Sequence, residues 1–221
     1  MKDRKDVFNL RFFKNLEVTG DFDSPVIRKN LNIPTNLISF NYALSCKDPE
    51  KYYVHFYIDD YQFERIWHKP TKYISLLKKF AGVIGPDFSA YTDMSISQRI
   101  SNIYRNKVLT ACWQKLGLNV IPNGRWIENN KISNFNNGFD GLPHHSSIAI
   151  TTNSTQSSEK YEKFQIEFQD ILNKLEPANL IVYGQLKERE KFLCQQQGVN
   201  VFEFKRILDK MEDNKNVQSK K

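Results

Sequence analysis

The chain has 221 residues, of which 40% are hydrophobic and 13% aromatic, and this apolar content excludes an intrinsically disordered polypeptide. Its 32 Lys and Arg residues outnumber 25 Asp and Glu residues for a net charge of +7, which favours an anionic partner such as a nucleotide or nucleic acid. No apolar run approaches the roughly 18 residues of a membrane helix. Because residues 1–6 are also highly charged, we expect a cytoplasmic protein without a membrane-bound part.

The excess positive charge is concentrated at the two ends of the chain. Residues 1–14 and residues 205–221 each carry a net charge of +3, whereas the body of the chain carries only +1. Electrostatic attraction to a partner is therefore expected to act through the ends. We predict a partly ordered N-terminal arm over residues 1–33, a single α/β domain over residues 34–204, and a basic tail over residues 205–221 that is helical or disordered.

Short aliphatic or aromatic runs alternate with longer segments of helical periodicity along the chain. The first half is predicted to contain the strands Leu37–Phe40 and Tyr53–Ile58, a helix Tyr61–Phe80 interrupted by Pro70, the strand Gly82–Gly85, a helix Ser97–Leu116 that Ser97 caps, and the strand Asn119–Ile121. An Asn/Gly-rich loop leads to the second half, with the strand Ser147–Thr151, a helix Tyr161–Leu175, the strand Leu180–Tyr183, a helix Lys187–Gln197 and the strand Val199–Phe202.

This alternation predicts an α/β fold with a largely parallel sheet of about six to seven strands covered by helices. The strands are almost wholly apolar, as expected when both faces of a sheet are buried. An open three-layer sandwich is the favoured architecture. An incomplete barrel-like arrangement is the second choice, because a full barrel of eight strand–helix units needs about 250 residues.

Polar side chains follow the predicted strands, at the edge where parallel α/β folds bind their ligands. The candidate catalytic residues are Asp60, Asp87, Asn123 and Arg125. Asp60 and Asp87 suit general acid/base chemistry or a divalent metal, which is the one cofactor these residues suggest. Arg125 can hold a phosphate or carboxylate through two hydrogen bonds, and Asn123 can orient that group. The alternative is that such residues follow strands because they favour turns and helix caps.

A second group of residues is predicted to contact the substrate. Its members are Asp59, Ser89, Asn102, Arg105, Trp126, Asp140 and Thr152. Asn102 and Arg105 share one helix face with Arg99, because the three are spaced three residues apart, and they can face an anion. The alternative for that face is a solvated surface. Nothing in the sequence specifies the oligomeric state.

Several fragments of the sequence occur together, in this order, in a known protein family. They are Val54–Asp60 with Phe63-Glu64, Gly85–Ser89, Asn102 with Tyr104-Arg105, Val120–Asn123 with Arg125-Trp126, Phe139–Pro143, Ile150–Thr152, and Pro177 with Ile181–Gly184. With these fragments the chain resembles a family of uncharacterised proteins, a domain of unknown function carried by bacterial phages, plasmids and integrative elements. The resemblance covers roughly residues 37–204 and departs from the family pattern at Ser95, where proline is expected. It implies a mobile genetic element and the bacterial host cytoplasm, and it brings no activity with it.

Two functions follow from these observations. The first is an enzyme that acts on a nucleotide, nucleic acid or other phosphorylated substrate at the carboxyl ends of the parallel strands. The alternative is a non-catalytic nucleic-acid-binding or host-interaction module, in which Lys and Arg contact phosphates and exposed aromatic residues stack on bases. The chain contains neither a Gly-x-Gly-x-x-Gly motif nor a phosphate-binding loop nor a Gly-x-Ser-x-Gly elbow, which disfavours the common nucleotide folds and serine hydrolases.

Overall fold

The computed structural model describes residues 6, 8–125, 127, 138–153, 155 and 157–206. Its first part consists, in chain order, of α1 (Leu10–Phe13), β1 (Val18–Thr19), β2 (Ser24–Pro25), β3 (Leu37–Ser39), β4 (Tyr53–His55), α2 (Asp60–Phe63), α3 (Arg65–His68), α4 (Ile74–Leu77), β5 (Gly82–Ile84), α5 (Ile96–Lys115) and β6 (Val120–Ile121). The second part consists of β7 (Ser147–Thr151), α6 (Ser158–Leu175), β8 (Asn179–Tyr183), α7 (Glu188–Gln196) and β9 (Asn200–Phe204). The predicted mixture of parallel strands and helices is thus confirmed.

The parallel strands lie in two sheets. The first has four strands in the order β3-β4-β5-β6, the second has three in the order β7-β8-β9, and all of their pairings are parallel. Each strand pairs with the next along the chain, so every connection carries the chain back to the same starting edge. One further parallel bridge joins the first sheet to the second. It pairs Asn123, just after β6, with Ala149 of β7. It is supported by backbone hydrogen bonds from Gly124 N to Ala149 O (2.8 Å) and from Ala149 N to Pro122 O (2.9 Å).

Alternate residues of each strand pack on opposite faces, as β geometry requires. Val54, Val83 and Val120 belong to an apolar cluster that includes Trp113 of α5. On the second sheet, Ile148, Leu180 and Val182 form another cluster with residues of α6. The opposite faces of the two sheets meet in a third cluster, whose buried members are Tyr53, Tyr57, Ile84, Ile121, Ala149, Ile181 and Tyr183. Residues from both sheets therefore share one interior.

The predicted helix Tyr61–Phe80 is divided into three short helices, α2, α3 and α4. Lys69, which follows α3, has a φ of −140° that no helix accommodates, and the following Pro70 disfavours helical geometry at that residue. The predicted helix Ser97–Leu116 is confirmed as α5, but its cap is Ser95 instead of Ser97. The Ser95 hydroxyl accepts a hydrogen bond from Gln98 N (3.3 Å), so the residue that departs from the family pattern begins this helix.

Part of the predicted N-terminal arm contacts the amino-terminal ends of β6 and β7. The Asn30 amide donates to Asn119 Oδ1 (2.7 Å) and to Val120 O (2.9 Å), and Asn30 N donates to Ser146 Oγ (3.0 Å). These contacts lie at the amino-terminal edge of the strands, opposite the carboxyl edge where the site was predicted. None of the helices in the described part of the chain is both long and apolar enough to cross a membrane.

Candidate functional site

An ion pair between Asp87 and Arg125 lies at the carboxyl ends of β5 and β6. Arg125 Nε donates to Asp87 Oδ1 (2.8 Å) and Arg125 Nη2 donates to Asp87 Oδ2 (2.5 Å), which is the bidentate geometry of an Arg–carboxylate pair. The Asp87 side chain is 7% exposed and that of Arg125 22%. Burial disfavours the guanidinium charge, but the charges of Asp87 and Glu167, the hydrogen bond to Asp87 and the nearby Tyr57 together outweigh it and raise the pKa of Arg125. Arg125 is therefore a guanidinium cation at any physiological pH.

Asn123 and Tyr57 extend this pair into a hydrogen-bonded row. Asn123 Nδ2 donates to Asp87 Oδ1 (2.7 Å), and the Tyr57 hydroxyl donates to Asn123 Oδ1 (3.3 Å). Burial, followed by the nearby Asp87 charge, raises the pKa of Tyr57 well above its usual value, so its phenol stays protonated and acts as the donor. The Tyr57 hydroxyl thereby orients the Asn123 amide with its NH₂ group toward Asp87. The row runs from β4 to the segment after β6.

Asp60 lies at the start of α2, directly after β4, and it contacts the segment after β5. Its carboxylate accepts hydrogen bonds from Ser89 N (3.1 Å to Oδ2) and from Ser89 Oγ (2.9 Å to Oδ1). Burial raises the pKa of Asp60, the Ser89 hydrogen bonds oppose that rise, and the Asp87 charge adds to it. Asp60 is thus a half-buried carboxyl group near a second carboxylate, held by a single neighbouring residue.

Helix α5 adds Asn102 and Arg105 to the same edge. Asn102 Nδ2 donates to Ser89 O (2.6 Å), and Arg105 Nη1 donates to Asn102 Oδ1 (3.2 Å). Arg105 Nη2 also forms an ion pair with Glu64 Oε1 (2.5 Å), and its guanidinium carbon lies 3.7 Å from the centre of the Phe88 ring. The predicted residues Asp60, Ser89, Asn102 and Arg105 are therefore one connected network.

The other predicted substrate contacts lie apart from these two networks in the described part of the chain. Asp59 is exposed at the start of α2. Thr152 is buried at the end of β7, where its backbone N donates to Tyr183 O (3.1 Å). The carbonyl of Asp140 accepts from Lys107 Nζ (2.6 Å), which lies on α5 five residues after Asn102. Trp126 falls outside the described residues.

Several residues at this edge were missing from the sequence-based candidates. Tyr57 was taken as a strand residue, although its alternation with His55 places it on the interior face. Glu64 follows Asp60 by one helical turn, a spacing that could have indicated it. Arg99 was assigned to a solvated surface, but its Nε atom is buried without a hydrogen-bond partner among the described residues. Asn106, whose amide binds both Phe88 N (2.8 Å) and Phe88 O (3.3 Å), carries no sequence signal.

A metal ion bound by Asp60 and Asp87 would have to compete with Arg125 for the Asp87 carboxylate. Both Asp87 oxygens accept hydrogen bonds from Arg125, so a cation would have to displace a bidentate guanidinium group. No group of three or more His, Cys, Asp or Glu side chains suited to a metal ion occurs within the described residues. The geometry favours a charged hydrogen-bonding network at this edge, and the metal role stays a prediction.

Similarity to other proteins identifies the family to which this chain belongs. A family model described as "Domain of unknown function (DUF4417)" matches residues 16–205, which include all the candidate residues. The chain is 31% identical over 185 residues to the Gene 1 protein of Mycobacterium phage L5, covering 82% of this chain and 79% of that protein. It is 29% identical over 189 residues to the Gene 1 protein of Mycobacterium phage D29, covering 82% of this chain and 67% of that protein. No solved structure matches the chain. Because the family model spans most of its length, the chain belongs to the DUF4417 family, and the predicted resemblance to an uncharacterised phage family is confirmed.

Proposed function

We propose that this chain is a phage enzyme that acts on a small phosphorylated substrate at the carboxyl ends of its parallel strands, with Asp60 as the proton-transferring group. The observation that carries the proposal is the environment of Asp60. Its carboxyl group is half-buried, its pKa is raised chiefly by burial, and within the described residues only Ser89 donates hydrogen bonds to it. A carboxyl group with a raised pKa suits general acid/base catalysis at neutral pH.

The neighbouring Asp87–Arg125 ion pair supports the proton-transfer role of Asp60, because the hydrogen bonds around the pair hold it in place. Asp87 is fixed by Arg125 and Asn123, and Asn123 is fixed in turn by Tyr57. Such a fully hydrogen-bonded network keeps its charges in place while a substrate binds and reacts. In this proposal Arg125 positions Asp87, in place of the substrate-holding role that the sequence suggested. The Asp87 charge in turn helps to keep the pKa of Asp60 raised.

The phosphate-binding role passes to Arg99 in this proposal. Arg99 lies one helical turn before Asn102, whose side chain binds the Ser89 carbonyl beside Asp60. Arg105, one turn further along, is already paired with Glu64. Arg99 forms no ion pair within the described residues, and its buried Nε, like that of Arg105, has no hydrogen-bond partner among them. An additional anionic group near Arg99 would satisfy that donor, since a guanidinium group binds phosphate through two parallel hydrogen bonds.

We also propose that the two parallel sheets form one incomplete barrel, which was the second choice from the sequence. The rings of His55 on β4 and Tyr183 on β8 have centroids only 4.3 Å apart. In a flat sheet with the observed strand order, β4 and β8 would be separated by about 19 Å, at 4.8 Å per strand. The shared interior cluster and the Asn123–Ala149 bridge support the same arrangement. Barrels of parallel strands carry their active sites at the carboxyl edge, where Asp60 and Asp87 lie.

The experiment that tests the enzyme proposal follows turnover of phosphorylated compounds by ³¹P NMR. The purified protein is incubated with a panel of nucleoside phosphates and sugar phosphates, with and without Mg²⁺. We expect one class to be converted, and Asp60→Asn to reduce the rate by roughly 100-fold or more, as for loss of a general acid or base. Asp48→Asn, an exposed carboxylate in the segment after β3, should leave the rate unchanged. Equal rates for the Asp60→Asn variant and the wild type would contradict the proposal.

The non-catalytic alternative rests on the basic ends of the chain, residues 1–14 and 205–221, which lie mostly outside the described residues. It predicts binding of single- or double-stranded nucleic acid that weakens steeply with salt and is lost when both ends are removed. If no phosphorylated compound turns over while such binding occurs, the alternative replaces the enzyme proposal.

A further inference from the structure

Three exposed tyrosines lie in the segments that follow β3, β4 and β5, next to residues of the candidate site. Tyr42 lies in the 3-10 turn that follows β3, Tyr61 lies in α2 after β4, and Tyr91 lies in the segment after β5. Their exposed fractions are 52%, 79% and 57%. Single exposed aromatic residues are common on protein surfaces, but one in each of three consecutive segments at a ligand-binding edge is a patterned surface. We refer to Tyr42, Tyr61 and Tyr91 as the tyrosine rim.

Hydrogen bonds connect the three segments that carry the rim. Asn41, next to Tyr42, donates from Nδ2 to Gln62 Oε1 (2.9 Å), and Gln62 is next to Tyr61. Asp60, on the other side of Tyr61, accepts from Ser89 Oγ (2.9 Å), two residues before Tyr91. Tyr61 and Tyr91 therefore flank the Asp60–Ser89 contact. In the chain, Tyr61 is next to Asp60 and Tyr91 is two residues from Ser89.

We propose that the substrate carries a nucleobase, which stacks on Tyr61 and Tyr91 while its phosphate lies toward Arg99. This inference rests on the proposed function, because it names the substrate class of the same site. Every nucleobase presents a flat π-face, and stacking on exposed aromatic side chains is how proteins bind bases without reading their sequence. Tyrosine is suited to a solvent-exposed stacking surface, since its ring is apolar and its hydroxyl stays hydrated. A sugar phosphate without a base would leave both rings exposed.

Charge distinguishes a single nucleotide from a nucleic-acid strand. The three segments that carry the rim, residues 40–51, 56–65 and 85–95, contain 3 Lys and Arg residues against 7 Asp and Glu residues, a net charge of −4. A strand binds through an array of Lys and Arg along its phosphates, and these three segments have the opposite charge. A mononucleotide needs only one cationic contact for its phosphate, which Arg99 supplies. The rim is therefore assigned to a mononucleotide.

The test measures binding of a nucleoside 5′-monophosphate, the corresponding free nucleoside and ribose 5-phosphate by isothermal titration calorimetry. We expect the nucleotide to bind more tightly than ribose 5-phosphate, and the double variant Tyr61→Ala/Tyr91→Ala to weaken nucleotide binding roughly tenfold or more. Tyr61→Phe/Tyr91→Phe should keep the affinity, because stacking uses the ring. Phe192→Ala removes an equally exposed aromatic residue (57%) from α7 and should change nothing. Because all of these side chains are exposed, unchanged thermal unfolding confirms that the variants fold.

The outcomes separate this inference from the proposed function. Equal affinity of the wild type and the Tyr61→Ala/Tyr91→Ala variant for the nucleotide overturns the proposal that a nucleobase stacks on the tyrosine rim. If ribose 5-phosphate still binds and Arg99→Gln weakens it, the enzyme proposal stands without a nucleobase. If free nucleosides bind through the rim but Arg99→Gln does not affect the nucleotide and Asp60→Asn turns over phosphorylated compounds as fast as the wild type, the rim stands and the enzyme proposal falls. Tighter binding of an oligonucleotide than of the mononucleotide overturns the assignment to a single nucleotide, and failure of every probe to bind overturns both.

Discussion

The carboxyl and amino-terminal edges of the parallel strands are built from different polar groups. At the carboxyl edge the side chains are ionisable, with Asp87 paired to Arg125 and Asp60 held by Ser89. At the amino-terminal edge they are neutral: Asn119 donates to Tyr53 Oη (2.7 Å) and accepts from Asn30 (2.7 Å). Neutral amides satisfy one another at small cost, whereas burying charges costs desolvation energy even when they are paired. The amino-terminal edge therefore stabilises the fold, and the carboxyl edge, where parallel α/β folds bind their ligands, retains costly charges.

Breaking the ion pair should give the largest effect on stability. Arg125→Ala leaves the buried Asp87 carboxylate without its ion-pair partner, although Asn123 still donates a hydrogen bond to it, so we expect the free energy of unfolding to fall by about 3 kcal/mol. Urea denaturation at pH 7 measures this loss. Lys163→Ala is the matched control, because it breaks an exposed ion pair with Glu159 of similar length (2.9 Å) and should cost much less. Equal losses in the two variants would show that the carboxyl edge is no more buried than the surface.

A buried cation outside both edges should give the next largest effect. Lys107 is 4% exposed, donates to Asp140 O (2.6 Å) and Ser24 Oγ (3.2 Å), and has a pKa lowered by burial to about 8. Between pH 8 and its ordinary value of 10.5 the unfolded chain binds the proton that the folded chain has released. Stability therefore rises with pH across that window, by roughly 2 to 3 kcal/mol.

The Lys107→Met variant isolates this contribution. Subtracting its stability from that of the wild type, measured by urea denaturation at intervals from pH 7 to 10.5, removes the titration of other groups. We expect the difference to shift in favour of the wild type as the pH rises. A difference that does not change with pH would mean that Lys107 titrates normally.

Removing an amide from the amino-terminal edge should give a smaller effect, confined to stability. Asn119→Ala leaves Asn30, Asn32 and the Tyr53 hydroxyl without a shared partner, and we expect a loss of about 1 to 2 kcal/mol. Affinity for the phosphorylated probes should not change. Asn123→Ala, the equivalent truncation at the carboxyl edge, should change both stability and affinity. A change of affinity in Asn119→Ala would remove the distinction between the two edges.

The smallest effect on stability is expected for Asp60→Asn, and it should be favourable. The pKa of Asp60 is raised in the folded chain, chiefly by burial, so its contribution to stability is fully present below its unfolded value of 3.8 and is lost as the pH rises through the folded value. An amide at this position does not ionise, so the variant should be slightly more stable than the wild type at pH 7 and not at pH 3. Thermal unfolding at the two pH values measures the difference. A destabilised variant at pH 7 would mean that the ionised carboxylate stabilises the fold.

The elements with strong patterns were predictable from the sequence. Ser147–Thr151 is an uninterrupted apolar run and is reproduced as β7, and the periodic helix over residues 161–175 is reproduced within α6. The helix predicted over residues 61–80 is interrupted next to Pro70, as expected, with the break at Lys69, and the structure divides it once more between α2 and α3. The strand-end rule grouped Asp60, Ser89, Asp87, Asn123 and Arg125 correctly at one edge. The strand-end rule does not predict which of these side chains form hydrogen bonds or ion pairs with one another.

The sequence by itself determined the alternation of strands and helices, the edge at which polar residues collect, and the family, because each depends on order along the chain. Only the tertiary structure decided that Arg125 is paired with Asp87, that Tyr57 orients Asn123, and that Arg99 keeps a buried donor with no partner among the described residues. These outcomes depend on distances between residues that are 38 and 66 positions apart in the first two cases. Composition and periodicity do not encode such distances, because they describe neighbours along the chain, whereas ion pairing and burial are set by neighbours in space.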